Sequence, residues 1–272
     1  MSQQQTFQQA PAKLRVIDAA TRPGAETTSA KLIAYWLEKR MATRELAPAI
    51  NRQSPFALAY VVSPLQKRVQ WRIKRMFDIA FTSVGLLGIS PALFLVALAI
   101  KLEGLLSGTD GPLFFKQERV GLHGKRFHVY KFRSMHTDAE ARLADLLAKN
   151  QTNAGMFKME DDPRITRVGK FIRKYSLDEF PQLFNVLLGH MSLVGPRPPI
   201  PRELKAYDRW HHVRFATLPG MTGAWQVSGR SSITDFDRVV ALDFEYISDW
   251  SLMQDIKILF KTIPVVLFGK GS

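Results

Sequence analysis

The chain of 272 residues contains no cysteine. Disulfides, thiolate nucleophiles and cysteine-based zinc sites are thereby excluded, and the composition suits a reducing compartment. No apolar h-region follows the first residues, so no cleavable signal peptide is expected. The patterns GxxxxGK[ST], GxGxxG and GxSxG are absent, which removes support for a P-loop ATPase, a dinucleotide fold or a serine hydrolase. His123, His128, His136, His190, His211 and His212 show no metal-ligand spacing. Internal repeats are missing too.

Acidic residues are scarce: 24 Asp and Glu stand against 38 Lys and Arg, for a net charge of +14. Residues 1–75 hold 13 basic and 4 acidic side chains, so most of the surplus lies ahead of the apolar centre of the chain. Such a surplus suits nucleic acid, an anionic bilayer or phosphorylated substrates. Nucleic acid is disfavoured, because the excess clusters beside the most apolar run. Residues 1–28 are rich in Gln, Ala and Thr and read as a loose tail. A helix is predicted beyond them, with Leu32, Ile33, Trp36, Leu37 and Met41 on one stripe and Lys31, Lys39, Arg40 and Arg44 opposite. It suits a membrane surface or a partner as well as it suits an ordinary solvated face.

From Met76 to Ile100 the one charge is Asp78. That length meets the roughly 20 apolar residues a membrane helix needs, and a buried core helix is the alternative. Basic residues flank the run on both sides, including Lys74 and Arg75 before it and Lys101 and Lys116 after it. A single crossing cannot keep both flanks on the cytosolic face, where positive charge belongs. Pro91 removes a backbone hydrogen bond and disfavours helix at Ser90, and the Ser83 and Ser90 hydroxyls can satisfy the freed carbonyls. The pattern leans toward a helix-break-helix that enters the bilayer at Ser90-Pro91 and returns. Further on, Gly121-Leu122-His123-Gly124 predicts a hairpin turn between two short strands. A helix is expected over 136–150, and another around Glu203–Phe215. His211 and His212, in YDRWHHVRF, are expected on an aromatic, basic amphipathic helix near a membrane surface.

Two motifs carry candidate chemistry. In RKYSLDEFPQLFNVLLG, Pro181 belongs in a first helical turn, so a helix is predicted from about Asp178. Ser176 and Glu179 have the spacing of a capping box, and Asp178 itself suits an N-cap. The same geometry serves catalysis. A carboxylate at a helix N-terminus stays ionised and can attack phosphorus, and the Asp178-Glu179 pair can hold Mg²⁺ beside substrate phosphates. In MSLVGPRPPIPRE, four prolines stiffen the backbone around Arg197. That Arg suits bidentate phosphate recognition, or it is a solvated residue on a connector. Arg230, Lys131, Arg133, Arg173 and Lys174 supply further cations. Together these describe an acidic pair ringed by positive charge, as phosphoryl transfer from a diphosphate requires.

KRMFDIAFTSVGLLGISP, FKQERVGLHGKRFHVYKFRSM, DDPRITRVGKFIRKYSLDEFPQLFNVLLGHMSLVGPRPP and LPGMTGAWQVSGR resemble the bacterial sugar transferases that are monotopic phosphoglycosyl transferases. The likeness runs from about Lys74 to the C-terminus. It implies transfer of a sugar 1-phosphate from a UDP-sugar to undecaprenyl phosphate with release of UMP, the first membrane step of exopolysaccharide, capsule or O-antigen assembly. Asp178 would form a covalent phosphosugar, and Glu179 would help bind Mg²⁺ and assist the lipid phosphate. Arg173 would hold a phosphate, and Pro196 and Arg197 would fix the diphosphate. Arg230 is assigned to the nucleotide or phosphate side. The C-terminal DFEYISDWSLMQDIKILFKTIPVVLF resembles the branch that transfers glucose or galactose. The implied fold is α+β and mainly helical: a monotopic membrane protein with a re-entrant helix-break-helix, amphipathic interfacial helices and a small β-hairpin. Its expected parts are a basic N-terminal extension (1–70), a re-entrant membrane helix (71–101) and a cytosolic catalytic domain (102–272) at the bacterial inner membrane. The role of the extension is not carried over from the family, and surface anchoring and dimer contact are both left open. Expected partners are the UDP-sugar, undecaprenyl phosphate and membrane lipid, with a homodimer left open. A non-enzymatic scaffold on anionic lipid is the alternative.

Overall fold

The structure, a computed structural model, describes residues 68–108, 110–139, 141–142, 162–229, 233 and 235–267. The helix expected around Trp36, most of the helix expected over 136–150, and Arg230 lie outside them.

Helix α1, Arg68–Ser107, has 40 residues, about 60 Å of helix. It continues through Ser90 and Pro91, so the expected break is not an interruption of the helical backbone. The reason is local. Pro91 has no N–H to offer the Leu87 carbonyl one turn back, and Ser90 Oγ donates to that carbonyl at 2.9 Å. The hydroxyl takes over the missing bond, as predicted for it. By length and composition α1 can cross a membrane, and none of its most apolar window is buried. Val84, Leu87, Phe94 and Leu95 are all strongly exposed. A core helix would bury such side chains, so that alternative falls and the surface is that of a membrane-associated protein.

The polar ends of α1 hold the rest of the molecule. At one end Lys74 Nζ meets Asp255 Oδ2 at 2.6 Å, both side chains being buried. Arg75 donates to the Val186 and Leu187 carbonyls, and Asp78 Oδ1 accepts from Leu193 N at 3.2 Å. At the other end Glu103 Oε1 accepts from Arg167 N at 2.8 Å and Val168 N at 3.2 Å. It thereby caps α2, Arg167–Lys174.

Strands β1 (Phe114–Val120) and β2 (Arg126–Phe132) form the expected antiparallel hairpin, with Phe114 opposite Phe132 and Val120 opposite Arg126. His123 and Gly124 make the turn with positive φ. After α3 (Gln182–Leu187) comes β3 (Ser192–Val194), which pairs in parallel with β4 (Gly220–Thr222). This second sheet was not expected, because three-residue strands carry no periodicity to read. Their backbones pack without side chains between them: a Cβ on Gly220 would lie 2.0 Å from Gly195 N. Helices α4 (Ala224–Val227), α5 (Phe236–Ser248) and α6 (Leu252–Leu267) complete the described chain. Val120, Val129, Val186, Met191, Val194, Val213 and Ile247 lie in the core where the hairpin, α3, β3 and α5 meet.

Two short 3-10 helices, Pro201–Ala206 and Arg209–Ala216, replace the single helix expected around Glu203–Phe215. Residues 210–216 are buried, which corrects their placement on a membrane surface. The polar members have partners far along the chain. Arg214 Nε donates to Asp243 Oδ2 at 2.7 Å. Asp208 N donates to His211 Nδ1, so the ring's Nε2 carries the proton and donates to Asp237 Oδ1 at 2.7 Å.

Candidate active site

The acidic pair sits in a turn between two helices. Ser176 follows α2 with φ 54° and ψ 23°, the left-handed conformation that ends many helices. Leu177–Glu179 is a single 3-10 turn, and α3 starts at Gln182 with no side-chain cap. The helix start expected at Asp178 and the capping box through Ser176 are therefore corrected. Ser176 joins the end of α2 to the 3-10 turn through its backbone alone: its N–H bonds the Arg173 carbonyl at 3.1 Å and its carbonyl accepts from Glu179 N at 3.2 Å.

The two carboxylates differ in their surroundings. Lys131, on β2, places Nζ 2.7 Å from Glu179 Oε1. Burial would raise the Glu179 pKa, but Lys131, Arg197 and Arg119 outweigh it and hold the group down to about 2. Burial pushes Asp178 up to about 6, with Glu179 adding to the rise against Lys131 and Arg173. Asp178 is thus an anion at neutral pH because flanking cations limit the cost of its burial. A three-residue 3-10 turn has no macrodipole to speak of, so the helix-dipole reason expected for that charge does not apply.

The proline-rich segment is fixed through its carbonyls, since prolines have no N–H to offer. Gly220 N donates to the Pro196 carbonyl at 2.9 Å, and Val120 N to the Pro199 carbonyl at 3.0 Å. Between them, Arg214 Nη2 reaches the Arg197 carbonyl at 3.2 Å and Arg119 Nη1 the Pro198 carbonyl at 2.9 Å. The half-buried Arg197 side chain is projected from this clamped backbone, close enough to lower the Glu179 pKa. Four consecutive carbonyls with four donors make a rigid mount.

Asp178, Glu179, Lys131, Arg173 and Arg197 are brought into mutual electrostatic reach. The Arg133 guanidinium packs beside Gly111, where a Cβ would come 2.9 Å from Nη1. Ser90 and Pro91 lie in the exposed middle of α1. Sequence reasoning missed Arg119, which looked like one more cation in a basic flank, and Asn185. The Asn185 side chain accepts from Tyr130 N at 3.1 Å and donates to the His128 carbonyl at 2.7 Å, tying α3 to the free edge of β2. No local signal in FNVL points to either contact.

The family described as bacterial sugar transferase matches residues 69–269. The galactosyl transferase CpsE of Streptococcus agalactiae is 52% identical over 201 residues, covering 73% of this chain and 43% of that protein. The undecaprenyl-phosphate galactose phosphotransferase of Salmonella typhimurium is 44% identical over 235 residues, 83% of this chain and 48% of the relative. The exopolysaccharide production protein ExoY of Sinorhizobium fredii is 40% identical over 204 residues, 73% of this chain and 87% of the relative. The chain spans about half the length of the first two relatives.

Proposed function

The chain belongs to the bacterial sugar transferase family, and from that membership we propose that it transfers hexose 1-phosphate from a UDP-sugar to undecaprenyl phosphate. UDP-galactose and UDP-glucose are the favoured donors, and the product initiates a surface or exopolysaccharide. The observation that carries the reading is the asymmetric acidic pair, Asp178 and Glu179, held among Lys131, Arg173 and Arg197. In the first step an Asp178 carboxylate oxygen attacks the phosphorus bonded to the sugar. A P–O bond forms to Asp178, the diphosphate P–O bond breaks, and UMP leaves with that electron pair. In the second step an oxygen of undecaprenyl phosphate attacks the same phosphorus and frees the carboxylate. Glu179 stays anionic throughout, and Arg197 and Arg173 orient phosphate oxygens. Asp178 and Glu179 offer the hard oxygen donors Mg²⁺ prefers, and Lys131 occupies only Oε1 of Glu179. The pair therefore fits that ion, which when bound would offset charge on the diphosphate.

The site works at the cytosolic face of the bacterial inner membrane, with α1 entering one leaflet and returning. Support comes from the anchoring of both ends of α1 to one folded domain, through Lys74 and Asp78 at one end and Glu103 at the other. A helix crossing the bilayer would part those ends. On α6, exposed Met253, Phe260 and Ile263 lie beside exposed Lys257 and Lys261, the pattern of an interfacial helix. The test is UMP release from UDP-galactose or UDP-glucose with undecaprenyl phosphate and Mg²⁺. The Asp178→Asn protein should fold and release none; full activity in that variant would exclude the nucleophile.

A further inference from the structure

We infer that Arg119 is a positioning residue for donor binding, acting through Arg197 by holding the Pro198 carbonyl while Arg214 holds the carbonyl of Arg197 itself. The inference rests on the assignment of Arg197 to the donor's phosphates. Arg119 is 7% exposed. Its Nη1 donates to the Pro198 carbonyl at 2.9 Å and its Nη2 to Gln117 Oε1 at 2.6 Å. No carboxylate forms an ion pair with it among the described residues, whereas buried Arg214 has Asp243. A buried cation without such a partner is costly, and burial with nearby Arg197 brings the Arg119 pKa down to about 10.

The geometry explains why a guanidinium occupies this place. Prolines 196, 198 and 199 leave Arg197 with the one backbone N–H of the segment, so the loop is held chiefly by donors reaching its carbonyls. A rigid fork holds the Pro198 oxygen and Gln117 at once, which a single ammonium on a flexible stem does not do. Next along β1, Val120 N takes the Pro199 carbonyl, so the strand's end and its arginine fix adjacent peptide units. The Arg197 side chain leaves the backbone just before the two arginine-held carbonyls, those of Arg197 and Pro198. A shift of either one moves the guanidinium that meets the phosphates.

The experiment measures steady-state kinetics of the full chain in detergent or nanodiscs, using UDP-galactose or UDP-glucose, whichever turns over. Arg119→Lys keeps the charge and loses the fork. It should raise KM for the UDP-sugar about tenfold, with kcat changed less than about threefold and KM for undecaprenyl phosphate unchanged. In an Arg197→Ala background the same change should add nothing. A purely structural role predicts the opposite: equal effects on both substrates, or an effect that persists without Arg197, and either result overturns the inference. Should Arg119→Lys fail to fold, Gln117→Ala removes the second anchor and should give a smaller rise confined to the UDP-sugar. A Gln117→Ala protein that alters both substrates alike would count against the inference. An Arg197→Ala protein with normal UDP-sugar KM would overturn the phosphate assignment itself, a failure separable from additivity of the two substitutions.

Discussion

Asp178 and Glu179 are neighbours in sequence but not in chemistry. Glu179 is held down to about 2 and is a fixed anion over any working pH. Asp178 is pushed up to about 6, so the anion that the proposed nucleophile requires is lost as pH falls through that value. Activity limited by Asp178 should therefore fall about tenfold per pH unit below about 6, with no second break from Glu179 in the same range. Lys131 is the first cation countering burial at both groups: it limits the rise at Asp178 and drives the fall at Glu179. Removing it leaves the carboxylates less well stabilised as anions, so protons are retained to higher pH. In Lys131→Met the acid limb of kcat/KM should move upward, measured on whatever activity remains. A limb that stayed in place or moved down would show that Lys131 does not set the Asp178 charge.

The β1–β2 hairpin is the ruler between the two halves of the site. Its β2 edge carries Lys131 to Glu179 and receives the Asn185 amide, while the end of β1 holds the Arg197 mount through Arg119 and Val120. Asn185→Ala would leave the Tyr130 N–H and the His128 carbonyl without that partner at a fully buried side chain. A loss of about 2–4 kcal/mol in unfolding free energy is expected. Unfolding in detergent measures it, and a change under about 0.5 kcal/mol would mean the contact is idle. Elements with local causes were legible from residues alone. GLHG announced the hairpin turn, the run whose one charge is Asp78 announced α1, and the Asp-Glu and Pro-Arg motifs marked the candidate site. What was misread depends on distant partners. Arg214 and His211 looked like a basic amphipathic face because Asp243 and Asp237 lie more than 20 residues away. Ser176 looked like a cap because it and Pro181 suit a helix start, and nothing nearby says that α2 needs a left-handed terminator.

At the scale of the whole molecule, one domain grips an apolar helix at both ends, and the ion pairs near those two ends differ in strength. Lys74 and Asp255 are almost wholly buried, and Asp255 also accepts from Tyr246 and Trp250. Asp255→Ala strips a buried cation of its partner and should cost about 3–5 kcal/mol. Asp110→Ala breaks an exposed pair with Lys101 and should cost under about 1 kcal/mol. Unfolding of the two variants side by side decides this, and equal losses would refute the ranking. The same architecture sets membrane topology. On the proposed re-entrant path Arg72 and Ser107 share the cytosolic side, and the lack of native cysteine makes single-cysteine labelling clean. Arg72→Cys and Ser107→Cys should both resist a membrane-impermeant maleimide in intact spheroplasts and react in inverted vesicles. Labelling of either from outside would refute the re-entrant path. Replacing Ser90 and Pro91 together with Leu restores the backbone bond at the Leu87 carbonyl and favours a straight helix. That double variant should carry residue 107 to the opposite face, pull Glu103 away from the start of α2 and abolish UMP release.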